Sequence, residues 1–444
     1  MEQPAARPSI LKGRLPPAPV RRFTRPFARF LAVESAGGVV LLACTLLALA
    51  AANSPLAAVY QHLWHTPVRL QVGGFHIGGE LGHFVINDVL MTVFFFAIGL
   101  EIKREIVAGE LRDPRKAALP IAAAVGGMAV PAGIYMVLQA GTPSVRGWGV
   151  PMATDIAFVV GVTALLGRRV PLGLKVMLLS LAIADDIGAV VVIAAFYSGG
   201  LDWGMLGLAA AGFGLVALLN RAGVRWVPVY AAAGGLIWLA VYRSGIHPTV
   251  AGVVLGLMTP TAVGIGDAAL ADVLRDATVR APGEGHGRLD TLRAVGYVAR
   301  EGVSPLSRIE YALHPWVGFV IMPVFALANA GVAIQPAAVA DPVAVAVALG
   351  LVVGKPVGIV LFAFVAVRSG LAVLPTGVGW MLLAGGGALG GIGFTMSLFV
   401  AGLAFDDAAH LTAAKVGILA GSTASAVLGA TLLFAAGQGE VGRR

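Results

Sequence analysis

Apolar residues run along this chain in continuous blocks, and twelve of the blocks are long enough to cross roughly 30 Å of hydrocarbon. They cover about 33–52, 83–101, 117–138, 148–167, 174–198, 203–219, 226–242, 246–262, 315–334, 343–367, 379–403 and 410–436. Unbroken blocks predict helices, because the strands of a membrane barrel would read as roughly ten-residue segments of alternating polarity. The fold class expected is therefore an all-α polytopic membrane protein with twelve transmembrane helices. An even number of crossings puts both chain ends on one side.

Composition strengthens this picture. Only 12% of the 444 residues are charged and 58% are hydrophobic, where a soluble domain carries about a quarter charged residues. Sixty Gly and few aromatics suit helices that approach closely through small side chains. The net charge of +8 could attract an acidic partner such as nucleic acid, but its placement points elsewhere. Of the 31 Lys and Arg, 26 fall in connections on the side of the N-terminus. Arg69, Arg146 and Arg243 fall on the opposite side, and Lys355 and Lys415 lie inside apolar blocks. The positive-inside rule then places both termini in the cytoplasm of a bacterial inner membrane, with lipid as the surrounding partner and no nucleic acid. A cleavable signal ending near Ala48–Ala52 would break the even count and follow an unusually long basic region. The lone Cys44 permits no internal disulfide.

Residues 1–32 read as a basic cytoplasmic tail, with the Pro- and Arg-rich stretch 1–22 disordered. Residues 33–436 read as one membrane transporter domain and 437–444 as a cytoplasmic tail. Within the domain, VRLQV and FHIGG flank Gly73-Gly74 and predict a periplasmic β-hairpin over 68–79. The long connection 263–314 mixes charges of both signs with Gly and Pro, as expected of a partly helical cytoplasmic loop. Two blocks are weak as continuous helices. One has Gly147, Gly149 and Pro151 just before Thr154 and Asp155; the other has six glycines between Gly385 and Gly393 just before Thr395. Interrupted helices expose backbone groups that lipid cannot satisfy, so they belong where they face protein or a water-filled cavity. A pair of them points to the ion site of a secondary transporter.

The candidate chemistry is acidic. A carboxylate at mid-bilayer costs several kcal/mol, about 3 on insertion scales, so Asp155, Asp185 and Asp186 are functional candidates. Adjacent helix residues point about 100° apart; one of Asp185 and Asp186 should face the site while the other finds a separate partner. Lys355, in GLVVGKPVGIVLF, is the natural partner for one of them, since a buried ammonium demands a counter-charge. Carboxylate oxygens suit a hard cation and equally a proton, and Thr154 could add a neutral oxygen. No residue spacing suits a soft or tetrahedral metal, and no cofactor is expected. Asp88 is either a functional acid or one that caps and anchors the hairpin. Glu101, Lys103, Arg104 and Glu105 read as a solvated helix end, and His247 and His314 as polar anchors at span ends.

Six ordered stretches carry a resemblance: NDVLMTVFFFAIGLEIKRE (87–105), ATDIAFVVG (153–161), LAIADDIGAV (181–190), HPWVGFVIMPVFALANAG (314–331), VGKPVGI (353–359) and GGIGFTMSLF (390–399). Together they resemble the NhaA sodium/proton antiporter family over about 35–434, a family that itself exemplifies the broken-helix rule. The resemblance implies inverted three-helix repeats whose two interrupted helices cross near mid-membrane. It implies sodium (or lithium) and proton binding by Asp155 and Asp186, with Thr154 as site neighbour and Lys355 paired to Asp185. It further implies a pH-response region at Glu101, Arg104, Glu105 and Glu310, with His247 on the opposite face, and a homodimer through the 68–79 hairpin. Tyr311 stands where the family commonly has His, and the tail 1–22 and the loop 263–308 exceed its compact members. An intramembrane aspartyl protease would also use two aspartates, but it leaves Lys355 and the Gly-rich block unexplained. A carrier of organic anions would need basic groups at mid-span, where this chain has acids.

Overall fold

The computed structural model describes residues 36–73, 75–224, 226–280 and 286–441; the tail expected over 1–32 and the end of the one expected over 437–444 lie outside them. Helix α1 (Ala36–Ala52) turns through 116° into α2 (Ala57–Trp64). Strands β1 (Pro67–Val72) and β2 (Phe75–Glu80) pair antiparallel from Pro67↔Glu80 to Val72↔Phe75. Gly73, at the turn, has φ of 61°, a region open to Gly because it lacks a Cβ. The chain then enters α3 (Leu81–Ala108) and α4 (Pro114–Leu138). A 3₁₀ segment, Pro143–Met152, meets α5 (Ile156–Leu166) at 40°. Next come α6 (Leu172–Phe196), α7 (Trp203–Arg221), α8 (Val227–Ser244) and α9 (Thr249–Met258). Helices α10 (Asp267–Arg280) and α11 (His286–Glu301) occupy the long connection. They are followed by α12 (Pro305–Asn329) and α13 (Pro342–Arg368). Helices α14 (Trp380–Gly390) and α15 (Phe394–Ala404) meet at 46°, and α16 (Ala408–Val441) ends the described chain.

Among the described residues, seven helices are long and apolar enough to cross a membrane, and three bent pairs raise the number to ten. The chain is a multi-pass membrane protein. The difference from twelve lies in α8 and α9. Tyr230, Trp238, Tyr242 and Arg243 make α8 more polar than its neighbours, and the ten residues of α9 rise only about 15 Å.

Packing depends on small residues. Helices α4 and α13 cross at Gly126 and Gly358, where a Cβ on either would overlap the backbone of the other. The main core runs through this crossing and includes Phe95, Tyr135, Phe325, Leu351, Ile359 and Phe399. A smaller core of Ala209, Val216, Ile237, Ala240, Val241 and Ala251 joins α7, α8 and α9. At the base of the α10–α11 pair, the amides of Gly264 and Ile265 donate to the Glu301 carbonyl at 2.8 and 3.3 Å.

Candidate ion-binding site

The two breaks touch. At the first, the chain is extended at Ala153 and Asp155, which frees their backbone groups for partners outside the helix. The Asp155 amide donates to the Ile392 carbonyl at 2.7 Å, and the Thr154 hydroxyl donates to the Gly390 carbonyl at 2.9 Å. The second break answers: the amide of Thr395 donates to Asp155 Oδ2 at 3.1 Å, and the Thr395 hydroxyl donates to the same oxygen. Asp155 Oδ1 accepts from the Phe158 amide at 3.3 Å. One carboxylate thus caps the N-termini of both α5 and α15, where the helix dipoles favour negative charge. A Cβ on Gly391 would overlap the Leu351 carbonyl, so this close passage requires Gly.

Serines hold the remaining free groups. The Phe394 amide donates to Ser422 Oγ at 3.1 Å, and the Ser397 hydroxyl donates to the Val150 carbonyl at 2.7 Å. Neither serine was singled out from the sequence, where isolated serines in apolar runs look like ordinary small residues.

Helix α6 delivers the adjacent acids to different surroundings. Asp185 Oδ2 lies 2.5 Å from Lys355 Nζ, and the ammonium also donates to the Met152 carbonyl at the end of the 3₁₀ segment. The carbonyl end of one broken helix therefore receives the positive charge, as its dipole favours. Asp185 Oδ1 is buried without a hydrogen bond. The Asp186 side chain makes no hydrogen bond or ion pair among the described residues, although Asp185, Glu101, Asp155 and Lys355 all lie within its electrostatic reach. Burial is nearly complete: Lys355 is 0% exposed, Asp155 and Asp185 1%, and Asp186 4%. Thr154 and Thr395 are buried with them.

The other candidates fall into two outlying groups. At one end of α3, Arg104 pairs with Glu310 and stands 3.8 Å from both Glu101 and Glu105. At the hairpin end, Asp88 is buried between His83 and His247; His83 was not foreseen, although it lies only five residues before Asp88. Lys103 is half-buried, and His314 and Tyr311 are exposed.

Chemically, the centre offers Asp155 and Asp186 as oxygen donors for a hard cation, and each carboxylate can hold a proton instead. Among the described residues no three His, Cys, Asp or Glu side chains are arranged to hold a metal ion, so a cation here would take hydroxyl or carbonyl oxygens as well. Buried acids at paired helix breaks inside a multi-pass bundle are the construction of a secondary transporter's ion site, a rule for which NhaA proteins are themselves among the examples.

Comparison with known proteins gives the family. The chain matches the family described as Na+/H+ antiporter 1 over residues 28–433. It is 53% identical over 424 residues to the Na(+)/H(+) antiporter NhaA of Rhodopirellula baltica, covering 95% of this chain and 96% of that relative. It is 50% identical over 429 residues to the Na(+)/H(+) antiporter NhaA 2 of Acidiphilium cryptum, with 96% and 95% covered. With the Na(+)/H(+) antiporter NhaA of Rhizobium meliloti it shares 50% over 422 residues, with 94% and 96% covered. The chain belongs to the NhaA Na+/H+ antiporter family.

Proposed function

We propose that this protein exchanges Na+ or Li+ for protons across the bacterial inner membrane, as a secondary transporter and not an enzyme. The observation that carries the reading is the pair of touching helix breaks, with Asp155 capping both and the unpartnered Asp186 within its electrostatic reach. The names of relatives matched over nearly the whole chain support the choice of Na+ and protons. Cation and protons compete for Asp155 and Asp186, Thr154 lies at the edge of the site, and the Asp185–Lys355 pair holds α6 against α13. Twelve spans arranged as inverted repeats, with two crossing interrupted helices, enclose the site and open it alternately to either face. The positive charge on the connections supports cytoplasmic termini.

The pH response belongs to the Arg104 group with Glu101, Glu105 and Glu310, and to His247. A homodimer forms through the hairpin.

Charge counting makes the exchange electrogenic. With Asp155 and Asp186 ionised around one Na+, the three groups carry one net negative charge; with both protonated on the return they carry none. Two protons therefore enter for each sodium expelled, and an interior-negative potential drives export with about 2.3 kcal/mol per charge for each 100 mV. Everted vesicles carrying the protein should lose part of an imposed proton gradient when Na+ or Li+ is added, and show no such loss on adding organic anions. In proteoliposomes under a potassium diffusion potential, initial sodium flux should change with the sign of the potential. A flux indifferent to the potential would mean one proton per sodium, and that one of the two carboxylates is not a carrier.

A further inference from the structure

A second ionisable series starts at the hairpin end of α3. Asp88 is 2% exposed, and its two oxygens face different imidazoles. Oδ2 lies 3.5 Å from His83 Nδ1, and Oδ1 lies 3.6 Å from His247 Nε2. The His83 side chain is 66% exposed and that of His247 only 9%, so the series runs from solvent into the protein. His247 Nδ1 is engaged, 2.8 Å from the Thr249 hydroxyl. Its Nε2 is buried without a hydrogen bond and faces the carboxylate. Both gaps slightly exceed a hydrogen bond; a small side-chain shift or one bridging water closes each.

The surroundings hold the acid in place and lead inward. The Asp88 carbonyl accepts from the Thr92 hydroxyl at 2.5 Å, and the Thr92 oxygen accepts from Trp238 Nε1 at 2.9 Å, which ties α3 to α8. On its inner side the His247 ring meets Phe399 edge-on at 5.3 Å. Phe399 lies one helical turn along α15 from Thr395, which holds Asp155. Other titratable or charged neighbours are Glu80, which faces His83 and pairs with His65 at 2.8 Å, Tyr242, which faces Asp88, and Arg243 beside Tyr242. Arg243 also donates to the His76 carbonyl at 2.6 Å. Thirteen residues of α3, about 20 Å, separate Asp88 from Glu101 in the Arg104 group.

We propose that His83, Asp88 and His247 form a proton relay from the hairpin-side surface toward the helix crossing. It rests on the exchange reading above and adds the route by which protons on this side arrive. His83 takes a proton from water and passes one from Nδ1 to Asp88 Oδ2, so an N–H bond breaks as an O–H bond forms. The carboxyl turns and gives that proton to the free lone pair of His247 Nε2, and the imidazolium so formed releases its Nδ1 proton to the Thr249 hydroxyl 2.8 Å away, which passes its own proton to water on the inner side, so the imidazole is neutral again. Asp88 is then ionised again, ready for the next transfer.

The test is sodium-driven proton flux in sealed vesicles, with pH stepped on the hairpin side alone while the other side is held constant. His83→Gln, a change at an exposed side chain, should raise the hairpin-side proton concentration needed for half-maximal flux several-fold. The sodium concentration for half-maximal flux should stay where it is in the unsubstituted chain, a split that a general loss of structure would not produce. Asp88→Asn should produce the same split more strongly. His65→Gln, another exposed hairpin-side imidazole but outside the series, should leave the profile in place. An unchanged hairpin-side profile in His83→Gln overturns the relay while leaving the exchange reading intact. Absence of sodium-driven flux in the unsubstituted chain overturns both. Should Asp88→Asn fail to insert, His83→Gln still decides the matter.

Discussion

Two clusters in this protein each gather one basic side chain and three acids, and they do so in opposite surroundings. Lys355 lies among Asp155, Asp185 and Asp186, with all four at most 4% exposed. Arg104 lies among Glu101, Glu105 and Glu310, whose side chains keep between 13% and 30% of their surface while Arg104 keeps 41%. The formal inventory is the same, yet water can screen the second group, while the first is buried from it. In the buried cluster every charge needs a protein partner or a cargo. Asp185 has Lys355, and Asp155 has two helix N-termini. Asp186 has neither, which leaves a place for a cation or a proton. The Arg104 group, partly exposed to water, needs no cargo to be stable.

This contrast can be broken most directly at the acids. Asp186→Asn and Asp155→Asn should each abolish or severely reduce sodium-dependent proton movement in everted vesicles, at normal membrane levels. An amide keeps the volume but can neither release a proton nor offer the negative charge a dehydrated cation needs. Near-normal exchange in either variant would remove that carboxylate from the site.

The next largest effect should be on stability. Lys355→Ala strips the counter-charge from a buried acid and should cost about 3–5 kcal/mol, read as a lowered melting temperature in detergent. The loss should shrink at acid pH, where Asp185 can take up a proton in place of the missing ammonium. A melting temperature unchanged across the pH range would mean that the ion pair holds nothing together.

Arg104→Gln sharpens the comparison from the other side. A partly solvated group of this kind contributes about 1 kcal/mol or less, so the melting temperature should move little while the pH dependence of exchange changes. A destabilisation as large as that of Lys355→Ala would show that the two environments are not different after all.

The smallest effect is expected from deleting most of 270–300, within α10 and α11. That segment carries acidic and basic residues on two helices of its own, and among the described residues it supplies none of the partners at the crossing. Exchange should persist, as measured by the same vesicle assay; loss of transport at normal membrane levels would make this long connection a gate.

The sequence by itself determined the solvent this protein lives in, the identity of its buried acids and the weakness of two of its spans. Hydrocarbon tolerates so few charges and breaks that each one stands out against an apolar run. The hairpin was legible for a similar local reason, since Gly73-Gly74 between two extended runs supplies its own turn. Other features depend on residues distant in the chain. Which of Asp185 and Asp186 meets Lys355 could not be read from neighbouring positions on one helix; it follows from the way α13 packs on α4 through Gly126 and Gly358 and carries Lys355 to one face of α6. That Asp155 caps two helices, and that Ser422 and Ser397 tie the second break, required α14, α15 and α16 to be assembled around the first. His83 looked like any exposed imidazole until α8 and α9 brought His247 to the other side of Asp88. Local sequence decides what a residue costs in the membrane, while its partner is chosen by packing between segments more than 200 positions apart.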